Sequence, residues 1–433
     1  MNISLIICII TGILICLSVI FKPEIRVGKI RLGSYFIVSL IGAFAILVSG
    51  ALPLDALCAG LTENSEVNPL KILVLFLSMT FLSVYLDELG FFEFLAKKAL
   101  SKTGNSQIKL FIKLYAVVSI LTVFTSNDII ILTFTPFICH FTKSAKIDPT
   151  PYLFGEFFAA NTWSMCLIIG NPTNIYLATF SGINFFDYLK TMALPTLLAG
   201  GVSLAVTFLL FKKQLSVKIE SRVSAPVRLN KTLTVIGVVH LAVCIILLSV
   251  SSYIGIEMWT VTLCLALSLC ACTVVYKLTG RSDRRTLVKS LSRLPYGLVP
   301  FLISMFVIVL SLSYSGVTQK AADLLCRINP VFSVGVTGFF AANVINNIPM
   351  SVLYASILSS PVFAGSVGGV YAAIIGSNLG AYFTPVGALA GIMWLSILKK
   401  SGVDISFGKF VKYGAASSLP ALAASLIALN LII

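Results

Sequence analysis

Charged residues are scarce in this sequence. Asp, Glu, Lys and Arg make up 11% of its 433 residues, whereas hydrophobic residues make up 58%. A soluble domain draws about a quarter of its residues from those four charged types. The mean hydropathy of +1.01 is also that of a membrane protein. The composition therefore excludes an ordinary soluble domain and predicts an all-α polytopic membrane protein surrounded by membrane lipid.

Histidine is nearly absent, with two residues, and the ten cysteines lack the spacing of metal ligands. The sequence also contains no nucleotide-binding loop and no His-Glu-x-x-His pattern. We therefore expect no metal site, no cofactor apart from a coupling ion (H+ or Na+) and no enzyme activity. ATP coupling would require a separate ATPase subunit. The net charge of +15 does not indicate nucleic acid, because the basic residues lie in short segments between apolar runs.

Apolar stretches of about 20 residues, long enough to cross about 30 Å of hydrocarbon, recur along the chain. Two longer stretches, 108–142 and 331–359, carry polar residues near their middle, and we interpret them as re-entrant hairpins. The other stretches predict ten transmembrane helices, at residues 3–21, 35–52, 70–86, 150–180, 188–211, 232–250, 257–276, 295–313, 368–398 and 408–431.

The basic residues test this topology. If both hairpins stay re-entrant and the amino terminus lies outside, most of the 31 Lys and Arg residues fall on the inner side. A hairpin that crossed the membrane would move every later loop to the other side and remove this bias. The sequence therefore predicts an integral membrane protein with both termini on the outer side.

The order of elements repeats in two halves, 1–211 and 232–433, joined by a basic cytoplasmic linker at 212–231. Each half contains three spans, an interfacial segment (89–104 or 316–328), a hairpin, a broken span (150–180 or 368–398) and a closing span. Because the second half starts on the opposite side, the halves are predicted to form an inverted repeat.

Polar residues interrupt the apolar stretches at four places, in two matching pairs. The first pair is Thr125–Asp128 with Gly170–Asn174, and the second is Asn343–Pro349 with Phe383–Gly387. Unpaired backbone groups are costly in lipid and tolerable around a cavity, which is how transporters form a substrate site. The residues predicted to bind substrate or ion are Ser126, Asn127, Asp128, Asn171, Thr173, Asn174, Asn343, Asn346, Asn347, Asn378, Thr384 and Gly387.

Two acids lie within these apolar stretches. Asp128 is the candidate proton-coupling residue, because an ionisable group within a membrane segment is costly and is commonly functional. Helix capping by Asn127, Asp128 and Asn347 remains the alternative. We interpret Glu156 as an interfacial residue in the first turn of the broken span rather than as part of a proton relay.

Bacterial arsenite/antimonite efflux permeases of the ion-transporter superfamily have signature segments that resemble TSNDIIILTFTP, NVINNIPMSVLYAS and GSNLGAYFTPVGALAGIMWLSILKKSG of this chain. A segment widespread in that superfamily is similar to IGNPTNIYLATFSGINFFDYL. The resemblance covers nearly the whole chain. It implies a hairpin-based site carried by an elevator-like motion, and export of arsenite or antimonite driven by inward proton movement.

Relatives that import dicarboxylates, citrate or sulfate carry Ser-Asn-Thr at both hairpin tips. This chain instead has Ser126-Asn127-Asp128 and Asn346-Asn347-Ile348-Pro349. A carboxylate at Asp128 would repel a dianion, which favours a neutral solute or a coupled cation. A sodium- or proton-coupled transporter of dicarboxylates, citrate or inorganic anions and a sodium/proton antiporter stay open, as does a homodimer. A channel and an intramembrane enzyme are the other function classes.

Overall fold

A computed structural model describes residues 2–21, 24–27, 30–62, 68–100, 105–219, 229–251, 253–278 and 286–433. Within these ranges the chain is almost entirely helical. Two predicted segments lie partly outside them, the linker over residues 220–228 and the first interfacial segment over residues 101–104.

Short breaks separate the helices of the amino-terminal half, and two four-residue strands, β1 (Glu24–Val27) and β2 (Ile30–Gly33), pair antiparallel after the first helix. The helices are α1 (Ile3–Phe21), α2 (Ser34–Val48), α3 (Leu54–Thr62), α4 (Pro69–Glu88), α5 (Phe91–Leu100), α6 (Gln107–Phe124), α7 (Asn127–Ala145), α8 (Thr150–Trp163), α9 (Pro172–Phe180) and α10 (Phe185–Leu215).

The carboxyl-terminal half continues the helical pattern. Its helices are α11 (Lys231–Val250), α12 (Met258–Leu278), α13 (Thr286–Ser292), α14 (Leu298–Tyr314), α15 (Val317–Leu325), α16 (Pro330–Ile345), α17 (Asn347–Leu358), α18 (Val367–Gly380), α19 (Leu389–Lys400) and α20 (Phe407–Ile432).

Asparagine and serine caps determine where several of these helices begin. The Asn68 side chain accepts a hydrogen bond from the amide of Leu70, and Ser106 accepts one from Lys109. Asn184, Asn230 and Ser406 cap α10, α11 and α20 in the same way. Each cap satisfies an amide that the first helical turn leaves without a partner.

Six of the described helices, α4, α6, α10, α11, α12 and α20, are long and apolar enough to cross a membrane. The pair α14 and α15 also qualifies but bends by 76° between its two helices. Large apolar side chains stay exposed on many outer helix faces, for example Phe44, Leu209 and Val235. Because such faces are stable only against lipid, the predicted class of helical membrane protein is confirmed.

Helices α8 and α18 form the centre of the protein. Every residue of α8 from Thr150 to Thr162 is buried, and so is every residue of α18 from Gly368 to Gly380. A helix that is buried on all sides needs no polar face, and the sequences of both helices show none. Around them, α6 packs against α8, α16 packs against α18, and α10 packs against α20.

The contact between α16 and α18 depends on glycine. A Cβ atom at Gly376 would lie 2.7 Å from the carbonyl oxygen of Gly335 and 2.8 Å from the amide nitrogen of Phe339. Both neighbours are backbone atoms, which cannot turn aside as a side chain can. The second half therefore brings two helix backbones into direct contact, the usual role of small residues between membrane helices.

Each half contributes a helix that packs against the broken span of the other half. α7, which follows the first polar interruption, contacts α19 of the carboxyl-terminal half, and α17 contacts α9 of the amino-terminal half. A second apolar cluster, contributed mainly by α1, α2 and α14, lies beside this centre. The helices that follow the polar interruptions are thereby brought together.

Candidate functional site

The first tip is the connection between α6 and α7. Thr125 and Ser126 are extended, and α7 begins at Asn127. The Ser126 Oγ and Asn127 Oδ1 atoms are buried and have no hydrogen-bond partner among the described residues. The first amides of α7 point toward the same place, because the opening turn of a helix leaves its N–H groups free. Two buried polar atoms thus belong to consecutive residues at the amino terminus of a helix.

A hydrogen bond between two asparagines attaches this tip to α8. Asn127 Nδ2 donates to Asn161 Oδ1 at 3.1 Å, and Asn161 Nδ2 donates to the carbonyl of Phe157 at 2.8 Å. The second bond fixes the orientation of the Asn161 amide, so that Asn127 must donate with its nitrogen. Its oxygen is therefore the atom left free to accept a hydrogen bond.

Asp128 is partly exposed in the first turn of α7. No described residue forms a hydrogen bond or an ion pair with its carboxylate. Asp128 does not take the alternative role of a helix cap, because the cap position of α7 is occupied by Ser126, whose side chain makes no capping bond. The helix amino terminus favours a negative charge at this position.

The first break, residues 164–171, separates α8 from α9 and contains two short 3-10 turns. Asn171 Oδ1 caps α9 by accepting from the amide of Thr173 at 3.2 Å. Asn174 Nδ2 donates to the carbonyls of Ser164 and Leu167, at 2.8 and 3.1 Å. These bonds replace the helical partners that the break removes, so the backbone stays satisfied inside the protein.

Asn378 of α18 is the centre of a network that joins the two halves. Its Oδ1 accepts from Ser164 Oγ at 2.8 Å and from Asn171 Nδ2 at 3.0 Å. Its Nδ2 donates to Asn174 Oδ1 at 2.7 Å and to the carbonyl of Ile374 at 2.8 Å. All three partner side chains are buried. With four bonds on one amide, Asn378 has no capacity left for a ligand and holds the first break against α18.

Two further hydroxyl pairs reinforce this contact. The Thr173 and Ser377 hydroxyls lie 2.8 Å apart, and Thr162 Oγ1 donates to the Tyr382 hydroxyl at 3.1 Å. The sequence prediction included Thr173 but omitted Ser377, and it also omitted Ser164 and Asn161. Asn161 and Ser377 belong to the similar segments AANTW and GSNLG. The similarity aligns Asn161 with the predicted residue Asn378 and is the signal from which Asn161 could have been identified, whereas Ser377 aligns with Ala160 and has no such signal.

The second tip, between α16 and α17, is bonded to the second break, residues 381–388. Asn343 Oδ1 accepts from the amide of Thr384 at 3.0 Å and from its Oγ1 at 2.7 Å. Asn343 Nδ2 donates to the carbonyls of Phe339 and Gly380, at 2.9 and 3.0 Å. The amide of this asparagine is fully used within the protein.

Asn346 and Asn347 extend that attachment. Asn346 Nδ2 donates to the carbonyl of Val386 at 3.1 Å, and the amide of Asn347 donates to the carbonyl of Gly387 at 3.0 Å. A Cβ atom at Gly387 would lie 2.4 Å from the carbonyl oxygen of Gly380, so only glycine fits there. Asn346 has φ 74° and ψ 154°, a conformation that is otherwise confined to glycine.

The twelve predicted residues therefore fall into three groups. Ser126, Asn127 and Asp128 form the first tip, and Asn171, Thr173, Asn174 and Asn378 form the network between the halves. Asn343, Asn346, Asn347, Thr384 and Gly387 form the second tip and its break. No hydrogen bond joins the two tips directly in the ranges that the structure covers.

Glu156 lies apart from these groups. The sequence placed it in the first turn of the broken span, at an interface, but it is in the second turn of α8 and is fully buried. Among the described residues, no three His, Cys, Asp or Glu side chains cluster as they would around a metal ion. The polar groups at the centre are thus amides, hydroxyls and the Asp128 carboxylate, which suit small oxygen-bearing solutes or a hard cation.

Comparisons with known proteins find membrane transporters. A family model described as "Citrate transporter" (CitMHS) matches residues 6–371. The arsenical pump membrane protein of Escherichia coli (strain K12) is 27% identical over 371 residues, which cover 82% of this chain and 85% of that protein. The putative arsenical pump membrane protein of Bacillus subtilis (strain 168) is 25% identical over 405 residues, which cover 86% and 88%.

Among solved structures, the YdaH transporter of Alcanivorax borkumensis superposes with a TM-score of 0.58. The match covers 99% of this chain and 96% of that one at 14% sequence identity. At this identity the likeness concerns the fold.

Proposed function

This chain belongs to the CitMHS citrate transporter family and is a membrane transporter, and we propose that it is a secondary active transporter that exports arsenite, antimonite or a similar small solute in exchange for protons. The observation that carries the proposal is the pair of unpartnered polar atoms, Ser126 Oγ and Asn127 Oδ1, beside Asp128.

The chemistry of the first tip favours a ligand that donates hydrogen bonds. Asn127 Oδ1 and the ionised Asp128 carboxylate can only accept, and the Ser126 hydroxyl can do either. Arsenous acid is neutral and carries three hydroxyl donors, so it complements these acceptors. A citrate or dicarboxylate ion brings further acceptors and negative charge, and the tips and breaks contain no Lys or Arg to neutralise it.

Proton coupling would follow from competition at Asp128. A carboxylate binds the hydroxyls of the solute, whereas a protonated carboxyl has lost half of its accepting capacity and its charge. Solute and proton therefore weaken each other's binding, so that proton entry from outside promotes solute release there. The oxygen atoms of Ser126, Asn127 and Asp128 could also bind a sodium ion. Sodium coupling and sodium/proton exchange therefore stay as the alternative.

An inverted repeat would supply the two states that alternating access needs. Its support is that the breaks 164–171 and 381–388 have equal lengths and lie between helix pairs of corresponding order. In this proposal α6–α7 and α16–α17 are re-entrant hairpins, ten spans surround them, and both termini face the outside of the bacterial inner membrane. Elevator-like movement would carry the tips and breaks across. A homodimer and a separate ATPase subunit are compatible with this arrangement.

The test is transport in everted vesicles and proteoliposomes. Asp128→Asn should abolish pH-driven arsenite accumulation, by at least about tenfold, because the amide cannot bind the coupling proton. Asp323→Asn, which changes an exposed acid on α15, is the matched control and should behave as wild type. Unchanged pH dependence in Asp128→Asn would contradict the proposed coupling.

Two parallel measurements address the alternatives. Citrate, dicarboxylate, sulfate and sodium gradients are offered in place of arsenite, and accumulation of one of these anions without arsenite transport would favour the alternative substrate class. Counterflow of labelled solute separates a carrier from a channel, because a carrier exchanges labelled for unlabelled solute and accumulates label transiently above equilibrium, whereas a channel only lets the label equilibrate.

A further inference from the structure

Glu156 lies where three helices of the core meet, and the transport site described above does not use it. The hydroxyl of Thr135 on α7 lies 3.2 Å from Oε1 and 3.3 Å from Oε2 of Glu156. The Trp394 indole on α19 donates to Oε2 at 3.3 Å. Glu156 itself is 0% exposed. One carboxyl group thus connects α8 to α7 of its own half and to α19 of the other half.

The surroundings of Glu156 are apolar and uncharged. Phe157 stacks near the Trp394 ring, with centroids 4.9 Å apart, and Phe154 lies 5.4 Å from the same ring. Its hydrogen-bond partners are a hydroxyl and an indole, both neutral. A buried carboxylate that lacks a cationic partner costs several kcal/mol, so this environment favours the protonated acid.

The titratable groups on neighbouring elements do not supply a counter-charge. Cys139 lies on α7, one helical turn after Thr135, and its thiol carries no positive charge. Tyr152 on α8 donates its hydroxyl to Gln107. None of the lysines on the helices packed against α7 or α8 pairs with Glu156 within the described part of the chain; they are Lys71, Lys97, Lys98, Lys109, Lys113, Lys143, Lys190, Lys212, Lys213, Lys399, Lys400, Lys409 and Lys412.

Helix α7 links Glu156 to the first tip. Asp128 and Thr135 are seven residues apart, two helical turns, so they share one face about 10 Å apart along the axis. Pro136 follows Thr135 inside α7 and provides no amide for the preceding turn. The helix is therefore weakened where Thr135 contacts Glu156. A change in that contact can alter how α7 packs against α8.

We propose that Glu156 is a second proton-binding residue of the transport cycle, which holds a proton while α7, α8 and α19 are packed together and releases it to water when they separate. The proposal rests on the proton-coupled transport proposed above. The proton is exchanged with water, and no other bond is made or broken. Proton binding at Asp128 would compete with solute binding. Proton binding at Glu156 would instead depend on the packing of α7, the helix that carries Asp128.

Infrared difference spectroscopy of the reconstituted full chain tests the protonation directly. Wild-type protein stepped between acidic and alkaline pH should show a protonated-carboxyl C=O band that Glu156→Gln removes. Glu257→Gln is the matched control, because Glu257 is a partly exposed acid paired with Lys71, whose hydrogen bond lowers the pKa of Glu257. This control should keep that band. The other acids, Asp128 among them, contribute bands of their own, so a Glu156→Gln difference spectrum that retains every C=O band of the wild type overturns the proposal.

Transport provides the second measurement. Glu156→Gln should reduce pH-driven arsenite export about tenfold, within the usual range of coupling between sites. Arsenite exchange without a pH gradient should persist, because the first tip is intact. A wild-type pH profile in Glu156→Gln, together with a defective Asp128→Asn, would overturn this inference and leave the proposed function standing. Absence of pH-driven transport in the wild type would refute the proposed function, whereas the infrared band would still report on Glu156.

Thr135→Val covers the case in which Glu156→Gln does not fold. Valine keeps the shape of threonine and removes the hydroxyl that contacts both carboxyl oxygens. The C=O band of Glu156 should then move to higher frequency, because the acid loses a hydrogen bond. An unshifted band would show that the protonated group is not Glu156 and would overturn the proposal.

Discussion

The two tips occupy corresponding positions in the two halves and differ in how their polar atoms are used. At the second tip, Asn343 makes four hydrogen bonds to protein atoms, and Asn346 is bonded to the second break. At the first tip, Ser126 Oγ and Asn127 Oδ1 are buried and unpartnered in the described chain. A buried group without a partner is costly, so its retention is consistent with a ligand that completes it.

This difference indicates that the two tips have different roles, although their sequences are similar. The second tip is attached to its break by bonds to Thr384 and Gly387. Among the described residues, the side-chain bond that attaches the first tip to α8 is the one from Asn127 to Asn161. Backbone geometry differs as well. Asn346 has a positive φ, whereas Ser126 is in ordinary extended conformation. The second tip therefore has a strained backbone and uses all hydrogen-bonding positions of the Asn343 amide, whereas the first has an ordinary backbone and two unpartnered atoms in the described chain.

The largest expected effect on stability is at Asn343. Asn343→Ala removes four hydrogen bonds and leaves the Thr384 amide without its partner, so the free energy of unfolding should fall by about 2–4 kcal/mol. Thermal unfolding of purified protein without ligand measures this. The matched variant Asn127→Ala removes one bond and should cost about 1 kcal/mol. Equal losses at both sites would contradict the comparison between the tips.

For ligand binding, substitutions at the first tip should have the larger effect. Ser126→Ala should weaken arsenite binding about tenfold, the value of one hydrogen bond, and leave ligand-free stability unchanged or raised. Ser425→Ala on α20 is the control, because its hydroxyl is also buried and without a partner in the described structure. The control should keep wild-type affinity. A Ser126→Ala variant with unchanged affinity would show that the first tip is not the binding site.

The smallest effect concerns backbone strain at Asn346. Ala is normally more stable than Gly within ordered structure. At φ 74° and ψ 154° the order should reverse, with Asn346→Gly more stable than Asn346→Ala by about 1–2 kcal/mol, because glycine alone adopts this conformation freely. Both variants lose the same bond to Val386, so their difference in melting temperature isolates the strain. An Ala variant at least as stable as the Gly variant would show that the strain is absent.

The positions of the helix breaks could be read from the sequence. Asn171-Pro172 and Asn346-Asn347 combine a capping side chain with a residue that begins a helix, within runs that are otherwise apolar. Local chemistry is sufficient for this prediction, because a helix must end where its amides and carbonyls lose their partners. The apolar stretches similarly predicted the helical membrane class.

The roles of the individual polar residues could not be predicted from local sequence in this way. The prediction gave Asn378 and Asn343 the same role as Asn127, yet the structure saturates the first two with protein partners. Glu156 was interpreted as interfacial, because its place near the start of α8 resembles a common surface position. Its burial depends on Thr135 and Trp394, which are distant in sequence.

The sequence by itself determined that this protein is a bundle of membrane helices, which polar residues interrupt at four places. Those properties depend on residues that are close in the chain, through hydrophobicity, helix capping and the missing amide of proline. Only the tertiary structure decided which interruption keeps polar groups free and which acid is buried without a cation. Both depend on contacts between helices that are far apart in the chain, up to 238 residues in the bond from Trp394 to Glu156.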